Sequence, residues 1–320
     1  MSMYYPYLRG KQFELIALRD FANENPDNHN ICPIIEPVKE NLKFLDNTIK
    51  GLKDHGEKFI LVLNPNEGDF RGKSIDLVGG LVNLVDSKWV PGLIYSHNCE
   101  ELGRLIQSQH LDNVVIIFKD GIDFERDDSL EKFLSQENID SVVVSNADTR
   151  AGKRKLQNLG KKIIRLDDNF HEQKRNADYL NVQDEQFTEE PFYFKEDSFE
   201  GFSDFTTLPK SFTEGGSLPY AVAIHLTYHI PGQKMVYIHH FVSEKNFDQS
   251  NIQGKFAEAA RKAIVFFHQN PTYFHGSSLD ELEGYVNEER YPGLGVIKKI
   301  SIKHHLQLIN HILEKNENQR

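Results

Sequence analysis

Short apolar runs that end in a polar or charged residue recur six times in the first 168 residues. Each run is almost continuously hydrophobic, which is typical of strands that are buried on both faces of a parallel sheet. The six runs occupy residues 31–36, 59–64, 92–97, 114–120, 142–146 and 163–168. Because parallel strands point the same way, we expect the polar residues that end them to gather at one end of the sheet.

Helical patterns separate these runs. In residues 42–55, apolar side chains recur at intervals of three or four, which is the period of a helix with one buried side. Comparable patterns predict further helices at residues 12–23, 74–85, 98–109, 129–136 and 149–159. The order is therefore a strand followed by a helix, repeated six times. Such helices supply the crossovers that parallel strands need.

The regular order stops after residue 168, and residues 169–219 read as an irregular insertion. The later elements are a strand at 202–208, hairpin strands at 220–228 and 235–242, and helices at 253–268 and 296–315. We count residues 202–208 as the seventh barrel strand and residues 220–228 as the eighth. The alternative places both hairpin strands in the barrel wall.

Together these elements predict an α/β fold, a TIM-like (β/α) barrel with irregular closure and a late antiparallel hairpin. A length of 320 residues suits one such barrel domain over residues 1–320. No glycine-rich phosphate-binding motif follows the first apolar run, which argues against a dinucleotide-binding fold.

Composition narrows the class of partner. A formal net charge of −11 argues against nucleic acid, because phosphates repel such a chain at long range. The chain has two cysteines and no disulfide framework, which favours a reducing cytoplasm. The N-terminus does not have the pattern of a signal peptide, and no apolar run approaches the roughly 18 residues of a membrane span. We therefore predict a cytoplasmic protein without membrane segments.

The segment 4–15 reads Tyr-Tyr-Pro-Tyr-Leu-Arg-Gly-Lys-Gln-Phe-Glu-Leu and is followed by Ala17-Leu18-Arg19. This opening, with the strand that carries Pro33-Ile34-Ile35-Glu36, resembles the phage beta-protein-like family, barrel proteins of phages and bacteria that are largely uncharacterised. Ser203, in the segment Phe202-Ser203-Asp204-Phe205, stands where that family commonly has glycine. The resemblance implies a barrel, and it suggests a setting of phage–host conflict as a hypothesis.

Three residues are candidates for catalysis. Glu36 ends the first apolar run and Lys119 ends the fourth, so together they could form an acid/base pair or a charge clamp. The alternative is a buried salt bridge that ties two strands together. Strand alternation places His225 among small side chains on a face with room for a ligand. Its alternative is a structural role through hydrogen bonds.

A second set of polar residues follows the strands or lies near their ends and is predicted to bind substrate. This set is Asn64, His97, Asp120, Asn146, Asp168 and Asp204. Its many side-chain oxygens suit a hard divalent cation such as Mg²⁺. Asparagine and aspartate are also common in turns and helix caps, so the sequence leaves both the metal and the cofactor open.

Two functions fit these observations. The first is an enzyme that acts on a small polar or phosphorylated ligand at the mouth formed by the C-terminal ends of the strands. The second is a non-catalytic recognition or regulatory subunit that acts with a partner protein, in phage–host conflict. The second rests on the resemblance, the acidic and aromatic stretch at residues 185–205, and the lack of a diagnostic catalytic motif.

Overall fold

The computed structural model describes residues 3–318 except 27, 74–75, 128, 146–148, 216–217 and 246. The chain divides into two compact units, whereas the sequence predicts one domain over residues 1–320. The first unit comprises Met1–Leu15, Ala22–Asp167 and Tyr193–Asp204, and the second comprises Ile16–Phe21, Asp168–Phe192 and Phe205–Arg320.

The strands of the described residues, in chain order, are β1 (Tyr7–Leu8), β2 (Ile34–Ile35), β3 (Phe59–Val62), β4 (Trp89–Ile94), β5 (Val114–Phe118), β6 (Ile139–Ser145), β7 (Lys162–Asp167), β8 (Asp184–Thr188), β9 (Gly201–Asp204), β10 (Ala223–His229) and β11 (Val236–Val242). The α-helices are α1 (Gln12–Glu24), α2 (Lys43–Asp54), α3 (Leu77–Gly80), α4 (Cys99–Ser108), α5 (Leu130–Leu134), α6 (Arg150–Asn158), α7 (Glu190–Tyr193), α8 (Ile252–Gln269), α9 (Ser277–Asn287) and α10 (Leu294–Asn318). Short 3₁₀ helices lie at Gly68–Phe70 and Asn176–Asn181.

The first unit is built on a parallel sheet of eight strands among the described residues, in the order β1-β2-β3-β4-β5-β6-β7-β9. Residues just before β1 bring the two edges of this sheet together. Tyr4 bridges to Ile31 on one side and to Phe202 on the other, and Tyr5 N donates to Phe202 O at 2.8 Å. The sheet is thus nearly closed into a barrel flanked by helices, which confirms the predicted TIM-like class.

The strand count predicted from the sequence is wrong at both ends of the barrel. Strand β1 was not predicted, because two residues beside a proline leave no apolar run to detect. The segment 202–208 therefore contributes the eighth wall strand, β9, rather than the seventh. Neither hairpin strand belongs to the wall, so the predicted eighth strand at 220–228 and its alternative are both wrong.

Close packing inside the barrel requires a residue without a side chain at Gly201. A Cβ atom there would lie 2.5 Å from the Cε2 atom of the Tyr5 ring. The Tyr5 ring and Gly201 are therefore on the same side of the wall. It is the inner side, because Tyr5 lines one cavity together with Ile60 of β3, Val115 of β5 and Ile164 of β7. Strand alternation then places Tyr7 on the same side as Tyr5, and Tyr4 on the opposite side.

The second unit is built on a three-stranded antiparallel sheet in the order β10-β11-β8. Val222, Ile224 and Leu226 pack with Phe256 of α8 and Ile300 of α10 in one apolar core. The segment predicted as an irregular insertion, 169–219, contains the 3₁₀ helix Asn176–Asn181, β8, α7 and β9. The helix predicted at 296–315 falls within α10.

The helices give no sign of a membrane span. Over the part of the chain that the structure describes, no helix combines the length and the apolar character needed to cross a bilayer.

Candidate functional site

Glu36 and Lys119 form an ion pair at the C-terminal ends of their strands. Glu36 follows β2 and Lys119 follows β5, and the Lys119 Nζ atom lies 3.1 Å from Glu36 Oε2. The Glu36 side chain has no exposed surface, and that of Lys119 is 12% exposed. The prediction that both residues lie at one end of the sheet is thus correct. Transfer of two such charges out of water is costly unless both are paired and hydrogen-bonded.

Tyr7 supplies a further hydrogen bond to this pair. Its hydroxyl group donates to Glu36 Oε2 at 2.6 Å, and the backbone N–H of Asn66 approaches Glu36 Oε1 at 3.4 Å. Burial, and then the negative charge of Glu36, raise the pKa of the Tyr7 phenol well above its usual value. Tyr7 is therefore a neutral donor that stabilises the Glu36 carboxylate.

Glu67 connects Lys119 to a second cation, Arg9. Glu67 Oε1 lies 3.0 Å from Lys119 Nζ, and Glu67 Oε2 lies 3.2 Å from Arg9 Nε. We call the four charged groups Arg9, Glu36, Glu67 and Lys119 the ion network. Neither Glu67 nor Arg9 was predicted as a site residue from the sequence. The only signal for Glu67 was its position in the loop directly after the apolar run of β3.

Asn64 has a structural task rather than the predicted role in binding substrate. Its side-chain Oδ1 accepts from the Ile94 backbone N–H at 2.8 Å, and its Nδ2 donates to the Ile94 carbonyl oxygen at 2.8 Å. The amide thus takes the place of a backbone partner just beyond the β3–β4 pairing. A side chain with both polar atoms engaged in this way has little capacity left for a ligand.

His97 belongs to a separate polar group at the start of α4. The His97 side chain is exposed, and its Nδ1 lies 3.2 Å from the hydroxyl group of Tyr95. Tyr95 donates to Asp127 Oδ2 at 2.6 Å, and Cys99 Sγ lies 3.6 Å from the same oxygen. Hydrogen bonds from Ser129 and then Tyr95 lower the pKa of Asp127 to about 2. These contacts include no member of the ion network.

The structure places Asp204 on the other side of the barrel wall from the ion network. Its carboxylate accepts a hydrogen bond from the Tyr4 hydroxyl at 2.7 Å, and both side chains are buried. The intervening Ser203 hydroxyl donates to the Tyr5 carbonyl oxygen. Because Tyr4 and Tyr7 face opposite sides of the wall, Asp204 does not join the cluster predicted from the sequence.

Three further predicted residues are not brought into the network. Asp120 is exposed next to Lys119. Asp168 is also exposed, belongs to the second unit, and accepts a hydrogen bond from the Lys210 backbone N–H at 3.1 Å. Asn146 lies outside the described residues.

His225 lies in the second unit, where it is half-buried and pairs with the buried His240. Its Nδ1 is 2.7 Å from Nδ1 of His240, whose Nε2 is 3.0 Å from Glu185 Oε2. The rings of Phe170 and Tyr179 pack against His225 with centroids 5.0 and 4.7 Å away. Burial, followed by the neighbouring His240, holds the pKa of His225 well below its usual value. These contacts fit the alternative that the sequence left open, a structural role through hydrogen bonds.

The described residues do not supply a metal centre. Within them, no group of three or more histidine, cysteine, aspartate or glutamate side chains is arranged to hold a metal ion. The magnesium site suggested by the oxygen-rich strand ends is thus not found in that part of the chain. Asn146, one of the residues that suggested it, falls outside that part.

The geometry defines a class of protein, a parallel α/β barrel with a buried ion network at the C-terminal ends of its strands. Neither a family model nor a curated protein matches the chain. The resemblance to the phage beta-protein-like family therefore stays a prediction.

Proposed function

We propose that the barrel binds the anionic group of a small polar or phosphorylated ligand between Arg9 and Lys119. One observation carries this proposal: the Glu67 carboxylate is held by both cations, at 3.2 and 3.0 Å. A carboxylate between a guanidinium and an ammonium group has the surroundings that a ligand carboxylate or phosphate requires. The position also lies at the end of the barrel where enzymes of this fold act.

Glu67 is the partner that a ligand would replace. It lies in the loop after β3 and its side chain is 17% exposed, whereas that of Glu36 is completely buried. Glu67 can turn towards solvent at little cost, while Glu36 would remain to balance Lys119. In this proposal Glu67 occupies the anion site until the ligand arrives.

The same residues suit acid/base or charge-stabilising chemistry. Lys119 would stabilise negative charge that develops on the bound group, because it is fixed in place by Glu36 and shielded from water. Tyr7 would hold the Glu36 carboxylate in position through its short hydrogen bond. Catalysis by this arrangement is part of the proposal, and the free thiols of Cys32 and Cys99 support the cytoplasm as its location.

The test is a calorimetric titration with inorganic phosphate and with malonate, each with and without Mg²⁺. Replacement of Glu67 by glutamine should strengthen anion binding about tenfold, since the competing carboxylate is lost. Lys119→Met should abolish binding. Matched controls are Asp69→Asn and Lys39→Met, which alter an exposed ion pair close by in the sequence. If Glu67→Gln and Asp69→Asn bind these anions equally well, the proposal is wrong.

A second candidate function is a recognition subunit that acts with a partner protein. Val82 and Val85 are 77% and 67% exposed, and Phe44 is 40% exposed. Asn83, between the two valines, hydrogen-bonds to Asp46 of α2, so this segment is anchored beside Phe44. Exposed apolar side chains in one region are typical of interaction surfaces.

The two candidates are separated by one pair of variants. Val82→Asp with Val85→Asp should prevent the protein from retaining the product of a neighbouring gene in a pull-down, and anion binding should be unchanged. If the wild-type chain retains none of these products, the second candidate is rejected. The setting of phage–host conflict rests on the resemblance alone and belongs to this candidate.

A further inference from the structure

The barrel has a cavity at the end opposite the ion network. It has a volume of about 330 Å³, and its lining comes from the N-terminal ends of the strands. Cys32 precedes β2, Lys58 precedes β3, Trp89 begins β4 and Lys162 begins β7. Cavities of this volume fall within the range that binds small molecules. The location is unusual, because residues at this end of a barrel generally serve stability.

The inner part of the cavity is apolar and completely buried. Cys32, Ile60, Val115 and Ile164 line it and are each at most 4% exposed. Burial raises the pKa of the Cys32 thiol to about 12, so the cysteine contributes a neutral surface and no nucleophile. The deep part of the cavity therefore suits the hydrocarbon body of a ligand.

The outer part of the cavity is charged and slightly acidic. Its lining includes three carboxylates against two ammonium groups, a balance of −1: Asp112, Asp140, Glu200, Lys58 and Lys162. Lys162 pairs with Asp140 at 2.9 Å, so these two charges offset one another. The Asp112 carboxylate is exposed and accepts a hydrogen bond from the adjacent Asn113 at 3.3 Å.

Glu200 is a half-buried carboxylate of the cavity that no cation among the described residues neutralises. It lies at the start of β9, and within the described residues its carboxylate forms no hydrogen bond and no ion pair. The Tyr5 ring lies against Gly201, the residue that follows Glu200. Burial raises the pKa of the Tyr5 phenol, and the Glu200 and Asp140 carboxylates raise it further. A carboxylate on the lining of a cavity that also includes the rings of Tyr5 and Trp89 attracts an organic cation.

We propose that this cavity is a binding site for a small organic amine with an apolar body. The ammonium group lies against Glu200 and the rings of Tyr5 and Trp89, and the hydrocarbon part fills the space above Ile60 and Val115. This site is distinct from the proposed anion site in its position, its charge and its ligand.

Trp89 allows a direct test, because it is the only tryptophan of the chain. Its fluorescence is measured during titration with phenethylamine, with phenethyl alcohol as the neutral analogue and phenylacetate as the anionic one. Phenethylamine should give a saturable change, with an affinity about tenfold or more above that of both analogues. Equal affinities for all three would overturn the choice of an amine, and no response to any of them would overturn the site.

Variants then test whether the change in fluorescence reports binding in the cavity. Glu200→Gln should weaken phenethylamine binding about tenfold, while Glu100→Gln, an exposed glutamate at the start of α4, should leave it unchanged. Ser141→Leu should fill the cavity and block binding, with circular dichroism to confirm that the variant folds. If Ser141→Leu does not fold, Glu200→Gln decides the question alone. Glu200→Gln should leave the binding of inorganic phosphate unchanged, so failure of one proposed site is distinguishable from failure of the other.

Discussion

The barrel and the second unit place polar side chains in their interiors in two different ways. The barrel buries paired ions, the ion network, whereas the second unit buries histidine rings. In the barrel, the side chains of Arg9, Glu36, Glu67 and Lys119 are at most 17% exposed and alternate in charge through contacts of 3.0–3.2 Å. In the second unit, burial lowers the pKa of His225 and of His304, which favours their neutral forms. Pairing with an opposite charge offsets the cost of burying a lysine or glutamate, whereas a buried histidine can lose its proton.

The histidines satisfy their hydrogen bonds in the neutral state. His304 Nε2 lies 2.8 Å from the Thr227 carbonyl oxygen, and its Nδ1 lies 3.1 Å from the hydroxyl group of Ser278. In the pair of His225 and His240, two Nδ1 atoms 2.7 Å apart require one donor and one acceptor. If His240 donates to Glu185 through Nε2, its Nδ1 accepts from His225, and both rings are neutral.

The largest effect should come from removal of one charge of the ion network. Lys119→Met leaves the Glu36 carboxylate buried without its cation, and we expect a loss of about 3–5 kcal/mol in the free energy of unfolding. The double variant Lys119→Met with Glu36→Gln should recover most of that loss, because no charge remains unpaired. Urea unfolding measures both values, and equal stability of the two variants would contradict the prediction.

Acid should destabilise the second unit by protonating His304. Burial lowers the pKa of His304 from 6.5 to about 4, so the unfolded chain takes up a proton at a higher pH than the folded one. The stability that depends on a neutral His304 is fully present above pH 6.5 and is lost as the pH falls towards 4. For His304 alone, this loss in the free energy of unfolding is about 3 kcal/mol.

The measurement is urea unfolding as a function of pH, followed by the NMR signals of the imidazole rings. The variant His304→Gln should show a shallower loss of stability over this range than the wild-type protein. An unchanged slope would mean that His304 is accessible to protons in the folded state.

A smaller loss of stability is expected where a neutral hydroxyl group donates to a buried carboxylate. Tyr4→Phe removes the hydroxyl group that donates to Asp204 at 2.7 Å. We expect a loss of about 1–3 kcal/mol, since a buried carboxylate then has one donor fewer. Tyr220→Phe, at an exposed position, is the matched control, and both are measured by thermal unfolding.

The smallest effect should come from an ion pair on the surface. Lys155 lies 2.8 Å from Glu131, a distance as short as those of the ion network, but the two side chains are 43% and 54% exposed. Lys155→Met should change the free energy of unfolding by at most about 1 kcal/mol, because water screens the pair. A loss as large as that of Lys119→Met would show that burial does not explain the difference between them.

Part of the candidate site could be predicted from the sequence. Glu36 and Lys119 each end an apolar run, and parallel strands bring such ends together whatever the loops do. Glu67 could not be predicted in this way, because its position depends on how the loop after β3 folds. Asn64 has the same sequence signal as Glu36, but its amide completes the β3–β4 pairing instead of facing a ligand.

The sequence by itself determined the parallel strands and the helices between them, because hydrophobic periodicity is a local property that each segment carries alone. The tertiary structure alone decided which strands close the barrel. Tyr4 joins Ile31 and Phe202, segments far apart in the chain, through backbone hydrogen bonds that side-chain types do not encode. It also decided that the late hairpin forms its own sheet with β8, since pairing of strand edges depends on which edges meet in space.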